Sequence, residues 1–326
     1  REPALDSPKE GLRRTMKIMR DNYLFGSEGR WQRLTPLFLL LPGVLLYILI
    51  ALGPSIATSV FSFTDASGLR GAPVNWIGFD NYKEFLLQGL ASRDNIAATL
   101  RTLQFSALVT VIQFTLGLII AVILNQKLRG RTFFRTLFFF PVILGVVIQG
   151  LMWRLFLLPR GGPMATMFGW FGLQSEFLGG QPSEAFMWVI IVQIWANVGI
   201  TMVIFLSGMQ TISEELYEAA RIDGASNWQL FRNVTWPQLT PAINTNFLLN
   251  IVGSLQAWQL FYVLIGWKTG TQVLGYLVFA EGFGQTGTPA FRQGFAAAAS
   301  IVLFFIVLVI GAAANKVVSW REQRYM

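Results

Sequence analysis

A polar, patterned segment lies between two long apolar runs of this chain, at residues 215–241, ELYEAARIDGASNWQLFRNVTWPQLTP. Leucine and paired alanines recur there at helical spacing beside carboxylates, which predicts a short helix whose small-residue face can bind another protein. Gly224 is expected to end this helix, because glycine readily adopts the left-handed conformation. An amphipathic loop resting on lipid headgroups explains the same features equally well. The residues alone leave both interpretations open.

Capping residues delimit two short helices in this segment. Ser213 can cap the first, whose first turn carries two glutamates where the helix dipole favours anions. Ser226 and Gln229 have the spacing of a capping box, which predicts the start of a second helix. Pro237 is expected to stop that second helix. The sequence therefore predicts a compact helix–glycine–helix unit.

Polar side chains also recur inside two apolar segments, where they could meet the hydroxyl groups of a solute. One stripe runs along residues 193–201, a second along residues 246–254, and aromatic and amide residues follow the second. Such residues also join membrane helices, at about 0.6 kcal/mol per contact. Helix joining explains each single residue at least as well as solute contact, whereas the group around Trp258 favours a solute path. The candidate path residues are Gln193, Asn197, Asn250, Gln256, Trp258, Gln259 and Tyr262.

Composition places these segments in a membrane protein. The chain has 326 residues, of which 53% are hydrophobic and 13% charged, against roughly 25% charged residues in soluble domains. It contains no cysteine and no histidine, which excludes disulfides, thiolate or imidazole metal sites and histidine general bases. It also lacks the G-x-x-x-x-G-K-[ST] motif that cradles nucleotide phosphates.

Six segments are long and apolar enough to be predicted as transmembrane helices: 36–63, 101–125, 133–157, 185–208, 241–265 and 293–318. Lysine and arginine concentrate in alternate connections, with 17 of 25 in 1–35, 126–135, 209–240 and 316–326. Positive loops stay in the cytoplasm, so both termini and the patterned segment are predicted to be cytoplasmic. The net charge of +8 therefore reflects topology rather than nucleic-acid binding.

The predicted organisation is a single membrane domain. A basic cytoplasmic leader, 1–35, precedes a transmembrane domain, 36–320, and a cytoplasmic tail, 321–326. The patterned segment occupies the connection 209–240, and 64–100 forms the longest outer loop. The fold class is all-α and polytopic, with six spans.

The patterned segment resembles the cytoplasmic signature E-A-A-x-x-D-G-A of permease subunits from binding-protein-dependent ABC importers. The resemblance implies that this loop is a coupling helix that docks in a groove of an ATPase subunit. Trp236 stands where the family usually has leucine or another aliphatic residue. The next residue, a proline, matches the family. The residues that match the core of the signature are Glu218, Ala219, Ala220, Asp223, Gly224 and Ala225.

Other segments resemble the carbohydrate branch of that family, of maltose-permease type. They are WIGFDNYKEFL (76–86), LNQKLRGRTFFRTLFFFPVI (124–143), GSLQAWQLFYVLIG (253–266) and GFAAAASIVLF (294–304). The resemblance implies a prokaryotic inner-membrane protein that pairs with a second, different permease, two ATPase subunits and an extracytoplasmic solute-binding protein. ATP and magnesium would bind the ATPases, and this chain would hold no cofactor and catalyse no reaction. Departures at Trp258, Gln259 and Trp267 leave the identity of the sugar open.

Charge narrows the solute class. The middles of the predicted spans carry no charged residue, so a neutral, hydroxyl-rich solute such as an oligosaccharide, a disaccharide or a polyol is expected. A glycerol phosphate ester carried by the same kind of importer is the alternative. A stand-alone secondary transporter or channel is disfavoured, because no intramembrane carboxylate is available for ion coupling. A membrane-embedded enzyme would need paired carboxylates, histidine or cysteine in the spans, which are absent.

Overall fold

The computed structural model describes residues 30–88, 94–126, 128–284 and 291–325, and these residues are mostly helical. Within these ranges the only extended pairing is an isolated antiparallel bridge between Thr64 and Trp76, and no strand forms. The predicted all-α class is confirmed. The chain divides into two compact units, Arg1–Val60 and Phe61–Met326. Most of the predicted leader, residues 1–29, lies outside the described residues.

The helices follow the apolar runs of the sequence. The first unit contains α1 (Arg30–Tyr47), a π-helical turn (Ile48–Leu52) and most of α2 (Gly53–Phe61). The second unit begins with α3 (Asp80–Lys83), a π-helical turn (Glu84–Gln88), α4 (Asp94–Asn125), α5 (Arg131–Ile143), α6 (Val146–Phe156), α7 (Pro163–Trp170) and α8 (Pro182–Gln210). It continues with α9 (Glu214–Ile222), α10 (Asn227–Leu230), a π-helical turn (Phe231–Thr235), α11 (Trp236–Gln238), α12 (Thr240–Leu255), α13 (Gln259–Leu264), α14 (Leu274–Phe283) and α15 (Gln293–Tyr325).

Four of the predicted spans are confirmed as long apolar helices: Pro36–Phe61, Asn95–Asn125, Pro182–Gln210 and Gln293–Val318. A bent pair, α5 and α6, raises the number of candidate spans in the described residues to five. The last helix, α15, runs on to Tyr325, so the predicted tail is a continuation of this helix up to that residue.

The predicted third span is not one straight helix. Its two parts, α5 and α6, meet at 102°. Leu144 adopts an extended conformation at the break, three residues after Pro141. The buried Gln149 side chain donates hydrogen bonds to the carbonyl oxygens of Pro141 (2.8 Å) and Leu144 (3.0 Å). A side chain thus replaces backbone partners that the bend removes, as a break inside an apolar bundle requires.

The predicted fifth span, 241–265, is also interrupted. Its main helix, α12, has 16 residues, which is shorter than the roughly 20 needed to cross a bilayer. Residues 256–258 break the helix, and α13 then adds six residues. Trp258 departs from helical geometry at this break, with φ −135°. Three residues of the predicted path, Gln256, Trp258 and Gln259, therefore lie at a helix break.

Pro237 does not stop the second helix of the loop, contrary to the sequence prediction. A π-helical turn, Phe231–Thr235, precedes it, and the N–H of Trp236 donates to the carbonyl oxygen of Phe231, five residues earlier. The wider turn changes the hydrogen-bond register just before the proline, which lacks an N–H of its own. The same arrangement occurs before Pro54, where Gly53 donates to Ile48. Helical backbone consequently continues from the loop into α12.

Apolar side chains of the second unit form clusters at opposite ends of the bundle. One cluster joins α4, α8 and α13 around Phe105, Val189 and Phe261. Another joins the far ends of α4 and α8 to the start of α12, around Ala121, Phe205 and Leu239. A third packs α14 against α15 and the start of α4. The second cluster supports the loop that contains α9 to α11.

Candidate functional site

Local capping determines the shape of the loop between α8 and α12. The Ser213 hydroxyl accepts a hydrogen bond from the backbone of Glu215 (3.3 Å) at the start of α9. At its end, Ala225 N donates to Ala220 O and Gly224 N donates to Arg221 O, both at 3.0 Å. This pair of bonds is a Schellman motif, which requires a left-handed residue, and Gly224 supplies it with φ +79°. The predicted helix end at Gly224 is confirmed.

The second predicted cap is confirmed as well. Gln229 N donates to Ser226 Oγ (3.4 Å), and Ser226 N donates to Gln229 Oε1 (2.7 Å). These reciprocal bonds form the capping box that starts α10. The direction of the chain is therefore determined on both sides of Gly224.

Tertiary contacts hold the loop on the end of the bundle. The hydroxyls of Tyr217 and Thr235 are 3.0 Å apart, which links α9 to the π-helical turn. Leu230 and Leu239 are buried, the latter in the cluster shared with α4 and α8. These contacts attach the loop to the ends of α8 and α12.

The outer face of this loop is apolar and acidic. Ile222 is 86% exposed and Trp228 is 67% exposed. Glu218, Ala219 and Asp223 are exposed beside them, whereas Ala220 and Ala225 are half-buried. Large exposed apolar side chains next to carboxylates, on a rigid support, are typical of a protein-binding surface. We call Glu218, Ala219, Ile222, Asp223 and Trp228 the loop face.

A buried polar seam joins α4, α8 and α12 between the two apolar ends of the bundle. Gln113 Nε2 donates to Asn250 Oδ1 (2.8 Å) and to Thr201 Oγ1 (3.0 Å). The Thr201 hydroxyl also donates to Asn250 Oδ1 (3.3 Å), and Asn246 Nδ2 donates to Thr201 O (3.3 Å). Ser254 contacts the hydroxyls of two α4 residues. The seam consists of Ser106, Thr110, Gln113, Thr201, Asn246, Asn250 and Ser254.

The seam separates the candidate path residues into groups. Asn250 lies within the seam, is buried and forms hydrogen bonds to two other helices. This is the geometry of helix joining, one of the two roles that the sequence left open. Gln193 and Asn197 are half-buried on α8, where Asn197 Nδ2 donates to Gln193 O (3.0 Å) in its own helix. Thr201, one turn further along, belongs to the seam. The predicted stripe on α8 therefore runs into the seam at one end.

The remaining candidates lie at the break between α12 and α13. Gln256 and Gln259 are exposed, and Trp258 is half-buried. The Trp258 ring stacks on Phe279 of α14, with ring centroids 4.6 Å apart, and the exposed Tyr262 meets the same ring edge to face at 5.1 Å. Exposed amides thus border an aromatic platform, an arrangement that can bind the hydroxyls and the flat faces of a sugar.

The connection 62–85, predicted to be an outer loop, is ordered. Asn81 is buried, and its amide donates to the carbonyl oxygens of Ser62 (2.9 Å) and Thr64 (2.8 Å). The exposed Asp65 carboxylate accepts hydrogen bonds from the side chain and the backbone of Asn75, which lowers the pKa of Asp65. Gly294, at the start of α15, donates its N–H to Ala66 O (2.8 Å). The turn is thereby attached to the last long helix.

Sequence reasoning missed several polar residues. Three polar residues recur at helical spacing on α4: Ser106, Thr110 and Gln113. This spacing would have predicted the part of the seam that α4 contributes. Arg292 contacts Glu84 and Glu281 across three separate segments, with 3.5 Å to Glu281 Oε2. No sequence pattern indicates that contact.

The fold and the loop define a class of protein. Several long apolar helices, a buried polar seam and a capped loop with exposed apolar side chains are features of a multi-pass membrane transport subunit. Within the described residues, no group of three or more acidic, histidine or cysteine side chains could hold a metal ion.

The chain belongs to the family of inner membrane components of binding-protein-dependent transport systems, whose model matches residues 113–324. It is 31% identical to a multiple sugar-binding transport system permease protein of Streptococcus mutans, over 84% of this chain and 91% of that protein. It is 30% identical to an arabinooligosaccharides transport system permease protein of Halalkalibacterium halodurans, over 86% of each. A bacterial ABC transporter involved in the import of the acidic polysaccharide alginate contains a chain of the same fold, with TM-score 0.75, 25% identity and coverage of 94% and 98%.

The family confirms the resemblance found in the sequence and the location in the inner membrane. The chain is a transport permease subunit rather than an enzyme. The roles of the individual loop and path residues remain predictions.

Proposed function

We propose that the chain is one of two different permease subunits of an ATP-driven carbohydrate importer, and that its loop face docks an ATPase subunit. The observation that carries this proposal is the loop between α8 and α12. Two caps and a left-handed glycine make it rigid, while Ile222 and Trp228 remain exposed beside Glu218 and Asp223. An exposed indole and a large aliphatic side chain are typical anchors of protein interfaces.

The proposed topology has six crossings with both termini in the cytoplasm. The distribution of lysine and arginine supports this orientation. The pair α5–α6 and the pair α12–α13 then each form one broken crossing, with exposed amides at the second break. Non-helical backbone at membrane depth is tolerated where it lines a watery cavity, so the break suits a solute path.

The proposed solute is a neutral oligosaccharide, disaccharide or polyol. Relatives named for multiple sugars and for arabinooligosaccharides support the carbohydrate class. The rings of Trp258 and Tyr262 would then stack on the sugar, and the amides of Gln256 and Gln259 would form hydrogen bonds to it. The half-buried amides of α8 would lie further along the path. The nearby cation Lys268 donates to two backbone carbonyl oxygens and so is already engaged. The site therefore favours a neutral solute.

The complete importer would contain this chain, a second permease, two ATPases that bind ATP and magnesium, and an extracytoplasmic solute-binding protein. The ordered outer turn within 64–100 provides a firm surface for that binding protein. The membrane-embedded helices contact lipid.

Two measurements test the proposal. Purification of the chain from its native membrane should yield a complex containing ATPase subunits; a stand-alone transporter or channel would purify without them. Calorimetry of the cognate binding protein should show tight binding of a neutral oligosaccharide. Preference for an acidic oligosaccharide or a glycerol phosphate ester would refute the neutral class, while leaving ATPase docking intact.

The path itself is tested by Tyr262→Ala in proteoliposomes that contain the whole complex. Loss of the aromatic platform should raise the apparent KM for sugar and leave ATPase co-purification unchanged. Tyr47→Ala, on α1, provides a matched control for loss of a tyrosine. Equal KM values for the two variants would contradict a role for Tyr262 in the path.

A further inference from the structure

The short helix α7, in the connection between α6 and α8, has two apolar faces. Met164 and Phe168 are half-buried on one face. Met167, Trp170 and Phe171 recur at i, i+3 and i+4 on the other, and Trp170 and Phe171 are 75% and 77% exposed. A helix that is apolar on its exposed face is not adapted to water, so this face needs a partner.

The inner face of α7 is attached to a firm base. The Phe168 ring contacts those of Phe177 (centroids 5.3 Å apart) and Trp188 in α8 (6.4 Å). Phe177 is fully buried in a left-handed conformation, φ 48°. Its N–H donates to Ser175 Oγ (3.0 Å) and to Glu184 Oε1 (3.1 Å). A strained conformation persists only where its surroundings determine it, so these contacts define the position of the segment.

A second attachment comes from the connection after α13. Lys268 Nζ donates to Leu178 O (2.8 Å) and also to Gly180 O. The segment that follows α7 is thus tied both to α8 and to residues near Lys268. The exposed face of α7 is therefore held in one orientation relative to the bundle.

The level of α7 is set by the helices around it. It follows the end of α6 at Phe156 and precedes the start of α8 at Pro182, so it lies where two membrane-crossing segments end. Leu155, Leu158 and Met187 are also exposed, at or next to those helix ends.

The charges near α7 also fit a membrane boundary. Residues 161–175 carry no charge, whereas Arg154 and Arg160 are exposed just before them. Tryptophan is enriched where headgroups meet acyl chains, and arginine near helix ends reaches towards phosphates. A docked protein would more typically be met by a polar rim around the apolar centre. The uniform exposed face favours lipid.

We propose that α7 is an interfacial helix, whose Met167, Trp170 and Phe171 side chains lie in the headgroup–acyl boundary of one leaflet and fix the depth of this end of the bundle. In the topology of the proposed function this leaflet is the outer one, and only that assignment rests on the proposed function. Such an anchor would hold this end of the bundle at a constant depth in the membrane. The opposite end could then move together with the loop between α8 and α12.

The natural absence of cysteine permits a direct test. Two single-cysteine variants of the full chain are spin-labelled in a complex with cysteine-free partner subunits and reconstituted in bilayers: Phe171→Cys, on the exposed face, and Leu173→Cys, at the exposed leucine two residues further on. Leu155→Cys serves as the lipid control and Arg70→Cys as the water control. Power saturation then measures collisions with oxygen, which concentrates in lipid, and with a water-soluble nickel complex.

The labels at positions 171 and 173 should show severalfold less nickel accessibility than the label at position 70, and oxygen accessibility close to that at position 155. Nickel accessibility equal to that at position 70 would overturn the proposal. Exclusion of both reagents would overturn it too, and would show that protein covers the face. An impermeant maleimide applied to Arg70→Cys reports orientation separately, so an error in the proposed topology would be distinguished from an error about α7.

Discussion

Replacing Gly224 tests whether the shape of the loop controls coupling. This residue has φ +79°, and an added Cβ would meet no atom within 4 Å. Steric collision with the rest of the molecule therefore contributes nothing, and the whole effect comes from the backbone. A residue with a side chain pays about 1–2 kcal/mol in the left-handed conformation. The two Schellman hydrogen bonds from Ala225 and Gly224 depend on that conformation.

The magnitude follows from this strain. A loss of about 1–2 kcal/mol reduces the ratio of the correctly folded loop to its alternative conformations by a factor of about 5–30. Gly224→Val should reach the upper part of this range, because β-branched residues are least tolerant of positive φ. Gly224→Asn should lose little, because asparagine tolerates the left-handed region. Gly224→Asp has similar backbone tolerance, so any extra loss relative to asparagine measures the added negative charge at the docking surface.

The assay is sugar uptake driven by ATP in proteoliposomes that contain the complete importer and its binding protein. Thermal unfolding of each variant checks that the bundle remains folded, which we expect because Gly224 is exposed and belongs to no apolar cluster. Uptake should follow the order glycine, asparagine, valine. Normal coupling in the valine variant, or equal losses in the asparagine and valine variants, would refute the backbone argument.

Three further predictions concern the loop face and the bundle. Glu218→Lys should abolish ATPase co-purification by reversing a charge on the loop face, whereas Glu176→Lys, at an exposed glutamate in the connection between α7 and α8, should retain it; equal behaviour of the two variants would contradict the assigned face. Asn250→Leu should lower the stability of the bundle to thermal unfolding by about 1 kcal/mol, because it removes the acceptor of two interhelical hydrogen bonds, from Gln113 and from Thr201. An unchanged unfolding temperature would argue against those two bonds. Gly117→Ala should destabilise the bundle by about 1–3 kcal/mol, because the added Cβ would lie 2.4 Å from the γ-methyl of Thr201 in α8. Gly43→Ala is the control, since its Cβ would meet no atom within 4 Å. An unchanged unfolding temperature for Gly117→Ala would argue against the close contact between α4 and α8.

The loop could be predicted in detail because its determinants are local. The bonds of Ser213 to Glu215, of Ser226 to Gln229 and of Ala225 to Ala220 each span five residues or fewer. Capping preferences and the conformational freedom of glycine act over such distances. The one local error, at Pro237, arose because a π-helical turn changes the hydrogen-bond register before the proline.

The candidate path was predicted less completely. The aromatic and amide residues from 256 to 262 were predicted as one group, and their role in a path stays a prediction; the sequence did not indicate that a helix break lies among them. Asn250 was left open between solute contact and helix joining, since an asparagine on an apolar helix has the same pattern in both cases. The tertiary structure assigns it hydrogen bonds to α4 and α8.

The sequence by itself determined that this protein is an all-α membrane protein with a helix–glycine–helix loop, and the loop motif with its neighbouring segments determined its family. Composition and short-range hydrogen bonding carry that information, and both can be read along the chain. Only the tertiary structure decided where the third and fifth predicted spans break and which polar side chains pair. The Gln113–Asn250 bond joins residues 137 positions apart, and the bend after Pro141 depends on a side chain donated by α6. Such contacts depend on how long helices pack against one another, because a buried amide must bond to whichever helix lies beside it.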